Sequence, residues 1–299
     1  MNREKAPSAA PSASVAKTGH ALDEQRFQML KDIADELTGE IVFPIHFDLV
    51  LQLRKSLLAP NRDLDQLAAL LCLEPLISAR LTGLTNSAPY NNGSTPVHGL
   101  RDSILRLGVE EAQTIAQTIS GNQLLLCKEM VEFDEFAKRL WAHSLHAASA
   151  AYVISKRLTR INPEDAMLAG LIHDLGAFYM LYRATQYDEL RVRPDTVKHL
   201  ISQWHENIGH ALLLTLGVPE IVADAIRDHD QPRALPNPPR NMSDVVYVSN
   251  LLASAKYGWI CHDIGGDAPP PLVWNDVYLA LADEIDAHAR NLRGDSPGN

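Results

Sequence analysis

The sequence predicts an all-α protein. Apolar residues recur at steps of three and four from about Leu22 to Lys256, which is the spacing of buried helix faces. No run of alternating β-branched residues bounded by turn residues occurs. A hydrophobic content of 46% in 299 residues can build a substantial core, so we expect folding without covalent cross-links.

Charge and cysteine content exclude several classes of protein. A net charge of -10 at pH 7 repels a phosphate backbone, so no direct nucleic-acid binding is expected. Cys72, Cys127 and Cys261 form no C-x-x-C pair and predict neither a disulfide framework nor a thiolate zinc site. No apolar run approaches the roughly 20 residues that span a bilayer, and none resembles a secretory signal. These features predict a reduced, cytoplasmic protein with no membrane span.

The first 130 residues divide into a tail and a helical part. Residues 1–21 are rich in Ala, Ser and Pro and are predicted to be a disordered tail. Residues 22–130 are interpreted as the first helical part, in which Gly108 suits a helix end because glycine readily takes the left-handed conformation. Apolar residues repeat at helical spacing in four of its segments, at 64–71, 77–84, 100–107 and 112–119.

The second helical part, residues 131–256, has clearer boundaries. Asn162 and Pro163 supply a cap and an N1 proline, and Ser243 is a predicted cap after the proline-rich loop at 230–241. Helices are expected over 135–158, 163–182, 195–217, 219–229 and 243–256.

Residues 257–299 are predicted to form a loop followed by an amphipathic C-terminal helix. The loop contains GGDAPPP at 265–271, and the helix covers about 275–292. This helix either covers the core of its own chain, which is favoured, or forms a dimer contact. Its apolar stripe consists of Val277, Leu281, Ile285 and Leu292.

Four of the twelve histidines lie in strongly apolar helices or at their ends, namely His143, His173, His205 and His229. A histidine buried among Ala, Leu and Ile must find a hydrogen-bond partner or bind something, and each one alone is more simply a satisfied core residue. His146 and His210 are less favoured alternatives on the helices of His143 and His205. The other six are interpreted as structural or solvent-facing: His20, His46, His98, His199, His262 and His288.

The adjacent pair His173 and Asp174 makes this set a candidate metal site. An imidazole and a carboxylate from one helical turn suit a divalent metal that accepts nitrogen and oxygen ligands, such as iron, manganese or zinc. Adjacent helical residues point about 100° apart, so both reach one ion only near the helix edge. Neighbouring helices must supply the other ligands, and His143 and His205 are candidates.

An ordered series of motifs surrounds this dyad. It runs LDQLAALLCLEPLISARLTGLTNSAPY at 64–90, LRDSILRLGVEEAQTIA at 100–116, WAHS at 141–144, AGLIHDLG at 169–176, GHALLLTLGVPEIVADAIRDH at 209–229 and VVYVSNLLA at 245–253. Over roughly Pro44 to Ala253 the series resembles the HDOD branch of the HD superfamily, which is related to HD-GYP proteins and metal-dependent phosphohydrolases. The resemblance implies an HD-domain-like multi-helical bundle, with the HDOD subdomain at 22–130 and the HD-like part at 131–256.

The resemblance also implies a set of metal ligands. His143 matches the first histidine ligand of HD enzymes, and His173 with Asp174 matches the dyad that names them. His205 and His229 match further histidines of two-metal relatives.

The chain departs from the family pattern at the last implied ligand. Asn250 stands where an aspartate is expected, which removes one negative charge and is expected to weaken metal binding. On this alignment Asn250→Asp should raise metal affinity. Asp230, where many relatives have a histidine, is a candidate substitute ligand or a solvated residue at a helix end.

A second departure follows the dyad. Leu175, Gly176 and Ala177 replace the Ile-Gly-Lys of HD-GYP relatives, and no GYP segment occurs, so the cation near a phosphate is missing.

Three functions are compatible with these observations. The favoured one is a non-catalytic signalling module with a degenerate metal site, which acts through contacts with signalling proteins and requires no cofactor. The first alternative is a metal-dependent phosphohydrolase or phosphodiesterase, in which metal-bound water attacks a phosphoester. The second is a nucleotide sensor for a ligand such as a cyclic dinucleotide, for which Arg80, Arg101 and Arg106 would offer an anion-binding face.

Overall fold

The computed structural model describes residues 13–37, 41–59, 62–258 and 275–294. These residues form α-helices and one 3₁₀ helix and contain no strand, which confirms the all-α class. None of their helices has the length and apolarity needed to cross a bilayer. The first helices are α1 (Ala13–Glu36), α2 (Phe47–Leu57), α3 (Leu64–Leu71), α4 (Pro75–Asn86), α5 (Ala88–Asn91), α6 (Leu100–Leu107), α7 (Val109–Leu126) and the 3₁₀ helix Cys127–Phe133. The others are α8 (Asp134–Leu158), α9 (Pro163–Ile172), α10 (Leu175–Ala184), α11 (Asp188–Arg191), α12 (Pro194–Thr215), α13 (Glu220–Ala225), α14 (Met242–Tyr257), α15 (Asp276–Leu279) and α16 (Ala282–Arg293).

The amino-terminal helix is longer than composition predicts. Residues 13–21, expected to belong to a disordered tail, form the first turns of α1. They continue directly into a helix that is fixed to the core by Met29 and Ile33, both at most 1% exposed, and adding a residue to an existing helix is easier than starting a new one. Residues 1–12 lie outside the described residues, as do the predicted loop at 265–271, Cys261 and His262.

Side-chain caps explain two helix starts near the site. Asn162 caps α9 ahead of Pro163, as predicted. Helix α14 is capped by Asn241, two residues before the predicted Ser243, because the Asn241 side chain accepts a hydrogen bond from the backbone N–H of Asp244.

One hydrophobic core joins the two helical parts. Helix α8 packs against α9, α14 and α16, while α2 packs against α7, and α10 against α12. Leu76 and Ile104 from the first part lie in the same core as Ile172 and Phe178 from the second, and all four are fully buried. The two parts therefore share an interior.

The C-terminal segment forms two helices, α15 and α16. Ile285 is buried in a second apolar cluster with side chains of α8 and α14, and Leu281 packs partly against it. Leu292 packs partly against the main core, whereas Val277 is exposed. The predicted stripe thus covers the core of its own chain except at Val277.

The long helix predicted through the dyad is interrupted there. Helix α9 ends at Ile172 and α10 begins at Leu175, with Asp174 at φ -98° and ψ 16°. Two residues later, Gly176 packs against α12 so closely that a Cβ atom would lie 2.2 Å from the carbonyl oxygen of His205. The absent side chain at Gly176 allows the start of α10 to approach the helix that carries His205.

Candidate metal centre

Five predicted ligands meet in one buried cluster, which we call the histidine cluster. Helix α8 carries His143, the α9–α10 junction carries His173 and Asp174, α12 carries His205, and His229 follows α13. Each of the five is at most 1% exposed. The ligating atoms of His143, His173 and Asp174 lie within 4.8 Å of one another, as do those of Asp174, His205 and His229.

The carboxylate of Asp174 lies between two pairs of histidines. Its Oδ2 atom is 3.4 Å from Nε2 of His143 and 3.3 Å from Nε2 of His173. Its Oδ1 atom is 3.5 Å from Nε2 of His205 and 3.3 Å from Nε2 of His229. A single carboxylate thus faces two sets of ligands, one on each oxygen.

Backbone carbonyls fix the ring orientation of three histidines. In His173, His205 and His229, Nδ1 donates a hydrogen bond to a carbonyl oxygen three or four residues earlier in the chain. With the proton on Nδ1, a neutral ring presents the lone pair of Nε2 to the cluster, as metal-bound histidines do. The acceptors are Gly170 at 2.8 Å, Ile201 at 2.8 Å and Ile226 at 2.7 Å.

The geometry of one pair tests whether a metal fits. Nε2 of His205 and Nε2 of His229 are 3.2 Å apart, although each ring has its Nδ1 proton committed to the backbone. Two neutral rings would then point lone pairs at each other inside a buried site, which is unfavourable without a cation. A proton or a metal ion removes this conflict, and the nitrogen and oxygen donors suit a divalent first-row metal.

The two halves of the cluster differ in charge. Burial lowers the pKa of His143 to about 4 and lowers the pKa of His173 as well, so both rings are neutral at pH 7. Burial acts on His229 in the same direction, but the charges of Asp230 and Asp174 outweigh it and raise the pKa of His229 to about 10. When no metal is bound, His229 is therefore protonated at pH 7. Its charge is the cation that the His205–His229 pair needs.

Asn250 does not turn its oxygen towards the cluster. Its Nδ2 atom donates to the carbonyl oxygen of His229 at 3.0 Å and to Oδ1 of Asp230 at 2.7 Å. Both partners are acceptors only, so the amide nitrogen must face them. The Asn250 oxygen instead accepts a hydrogen bond from the hydroxyl of Ser254 at 3.4 Å. The carbonyl coordination that an asparagine could offer a metal is not made in this arrangement.

Asp230 lies beside the cluster, next to a residue that sequence reasoning missed. Its Oδ2 atom is 3.3 Å from Nε2 of His205 and 4.0 Å from Nε2 of His229. Glu206 accepts a hydrogen bond from the backbone N–H of Asp230 at 2.8 Å. Ligating atoms of Glu206, His229 and Asp230 also lie within 4.8 Å of one another. The available signal was the position of Glu206 directly after His205 in the sequence.

The two alternative histidines lie in other contacts. His146 pairs with Asp286 on α16 at 3.1 Å, and His210 pairs with Asp224 on α13 at 2.9 Å. Neither belongs to the groups of ligating atoms found among the described residues.

The three arginines of the suggested anion-binding face contact other groups of the same chain. The contacts join Arg80 to the carbonyl of Ile41 at 3.0 Å, Arg101 to Asp65 at 2.9 Å and Arg106 to the carbonyl of Thr95 at 2.8 Å. These contacts give the nucleotide-sensor interpretation no support.

Comparisons with known proteins find one matching domain family and several similar structures. The HDOD domain family profile matches residues 43–232. The MmoQ response regulator of Methylococcus capsulatus is 17% identical, with a TM-score of 0.56 over 84% of this chain and 94% of that one. An HDOD domain protein of unknown function from Geobacter sulfurreducens is 22% identical, with a TM-score of 0.39 over 90% of this chain and 98% of that one. A protein from Shewanella amazonensis, provisionally named a metal-dependent phosphohydrolase, is 18% identical, with a TM-score of 0.47 over 90% and 99%. A search of curated proteins finds no match.

Proposed function

Because this chain belongs to the HDOD domain family, we propose that it is a non-catalytic signalling module that acts through protein–protein contacts and retains a buried metal centre. Signalling proteins are its proposed partners. The response-regulator name of the Methylococcus relative agrees with this role. A cytoplasmic setting agrees with the free thiols of Cys72 and Cys127.

The burial of the histidine cluster carries this proposal. A hydrolytic metal site needs a coordination position that is open to water and substrate. His143, His173, Asp174, His205 and His229 are instead at most 1% exposed and lie among packed helices. Such an arrangement favours a metal that links helices over one that receives a phosphoester.

The proposed metal is a divalent ion, iron, manganese or zinc, held by one or both halves of the cluster. His143 and His173 with one oxygen of Asp174 form one half, and His205 and His229 with the other oxygen form the second. When bound, the ion supplies a fixed positive charge that holds α8, α12 and the α9–α10 junction together. The carbonyl-bound Nδ1 atoms keep the rings turned towards it.

Metal analysis combined with a turnover assay tests the proposal. The full chain is purified without chelator, its bound metals are counted, and hydrolysis of a chromogenic phosphodiester is followed with and without added manganese. We expect bound metal and no hydrolysis above that of an Asp174→Asn variant. Metal-dependent hydrolysis that this variant loses would refute the non-catalytic role.

The alternative is a metal-dependent phosphohydrolase. It is favoured by the position of the Asp174 carboxylate between two imidazole pairs, which suits a two-metal site. In that case metal and turnover would disappear together in Asp174→Asn. In our proposal the variant loses metal, and the loss appears as reduced stability.

A further inference from the structure

We infer that Asp230 supplies the carboxylate that the family pattern places at position 250, and that Asn250 acts as the positioning residue that holds it. This inference rests on the metal centre of the proposed function. It assigns a ligand and its support within the half of the cluster formed by His205 and His229.

The two carboxylate oxygens of Asp230 have different partners. Oδ1 accepts from the Asn250 amide at 2.7 Å, while Oδ2 lies 3.3 Å from Nε2 of His205. One oxygen is therefore held from behind and the other faces the ligand atoms. A metal ligand is typically oriented by such a second hydrogen bond.

The backbone brings Asp230 to this position. Asp228 adopts the left-handed conformation with φ 55°, a geometry that aspartate tolerates better than most residues. The chain turns there immediately before His229, and Glu206 then accepts the backbone N–H of Asp230 at 2.8 Å. Asn250 closes the turn from the other side by donating to the carbonyl of His229 at 3.0 Å.

Charge explains why an aspartate at 230 is paired with an amide at 250. An aspartate at 250 would set two carboxylate oxygens about as far apart as the present hydrogen bond of 2.7 Å between Asn250 and Asp230, and like charges so close repel strongly. One carboxylate and one amide satisfy the contact. With Asp174, the cluster keeps two acidic side chains, the number expected if position 250 were an aspartate.

This arrangement reverses an expectation from the sequence. Aligning Asn250 with the missing ligand predicts that Asn250→Asp raises metal affinity. The contacts predict that the same change lowers it, because Asp230 loses a hydrogen-bond donor and gains a facing charge.

Four variants of the full chain test the inference: Asp230→Asn, Asn250→Asp, the double exchange of both residues, and the control Asp224→Asn. Asp224 is an exposed carboxylate that pairs with His210 outside the cluster. Each protein is stripped of metal and brought to equilibrium by dialysis against Mn²⁺. Bound Mn²⁺ is measured by atomic absorption, and a metal-free melting curve verifies that each variant is folded.

We expect Asp230→Asn to weaken Mn²⁺ binding about tenfold or more. Asn250→Asp should also weaken it, the double exchange should recover much of the loss, and Asp224→Asn should match the wild type. Tighter binding by Asn250→Asp, or wild-type binding by a folded Asp230→Asn protein, would overturn the inference and leave the metal centre intact. A wild-type protein that takes up no Mn²⁺ would overturn the metal centre and the inference with it.

Discussion

Glu74 is a buried carboxyl group whose ionisation opposes folding. This carboxyl group is fully buried, where it caps α4 by accepting the backbone N–H of Ile77 and accepts a second hydrogen bond from Gln123 at 2.8 Å. Burial raises its pKa to about 7 from an ordinary value of 4.5, against the opposing effect of these two hydrogen bonds.

The sign of the pH effect follows from proton binding. The unfolded chain releases the Glu74 proton near pH 4.5, whereas the folded protein keeps it until about pH 7. Between these values the folded state binds more protons, so the free energy of unfolding falls as pH rises. The loss reaches about 3 kcal/mol above pH 7 and disappears below the unfolded pKa.

Replacement of this carboxyl by an amide isolates the effect. We expect the unfolding free energy of Glu74→Gln, minus that of the wild type, to increase by about 3 kcal/mol between pH 4.5 and pH 8. Urea unfolding followed by circular dichroism at several pH values measures this difference. The control Glu135→Gln removes a carboxylate that is 94% exposed. A difference for Glu74→Gln that stays within about 0.5 kcal/mol at all pH values would refute the argument.

Three further predictions concern packing and metal. Gly176→Ala should destabilise the protein by about 1–3 kcal/mol and reduce metal binding. The reason is that the new Cβ atom would lie 2.2 Å from the backbone of His205. A variant that melts at the wild-type temperature would contradict the packing argument. Ile285→Ala should cost about 2–5 kcal/mol in urea unfolding because the side chain is buried at 2% exposure. The exposed Val277→Ala should change stability by less than about 0.5 kcal/mol, and equal effects of the two would mean that α16 does not pack as described. Chelation of metal from the wild type should lower its melting temperature by about 4 °C if metal had been present at a hundred times its dissociation constant, and Asp174→Asn should show no such decrease.

Helical spacing predicted most of the fold because buried helix faces repeat in the sequence. It did not reveal the break at the dyad, where Ile172, Leu175 and Phe178 continue the apolar pattern across Asp174. The start of α10 packs closely against another helix at Gly176, and periodicity does not record such tertiary contacts. The same limit explains why α1 was predicted to be shorter than it is.

The sequence predicted which residue types form the candidate site, but it did not predict the contacts between them. In the sequence, Asp230 is a candidate substitute ligand, and Asn250 stands where an aspartate ligand is expected. Nothing in the sequence pattern links these two positions. Their hydrogen bond at 2.7 Å joins residues 20 positions apart and depends on a turn after α13. Glu206 was missed because it accepts the backbone N–H of Asp230, a contact that leaves no pattern in the sequence beyond the position of Glu206 directly after His205.

The burial of the histidine cluster also bears on how quickly an ion is exchanged. His143, His173, Asp174, His205 and His229 are sealed from water, while the side chains of Asp230 and Glu206 at the rim are 28% and 15% exposed. An ion then enters and leaves past Asp230 and Glu206 or during local opening of the surrounding helices, which makes exchange slow in a well-packed region. We expect the metal acquired during folding to exchange slowly, so that the growth medium decides which metal the freshly purified protein holds and reloading needs long dialysis.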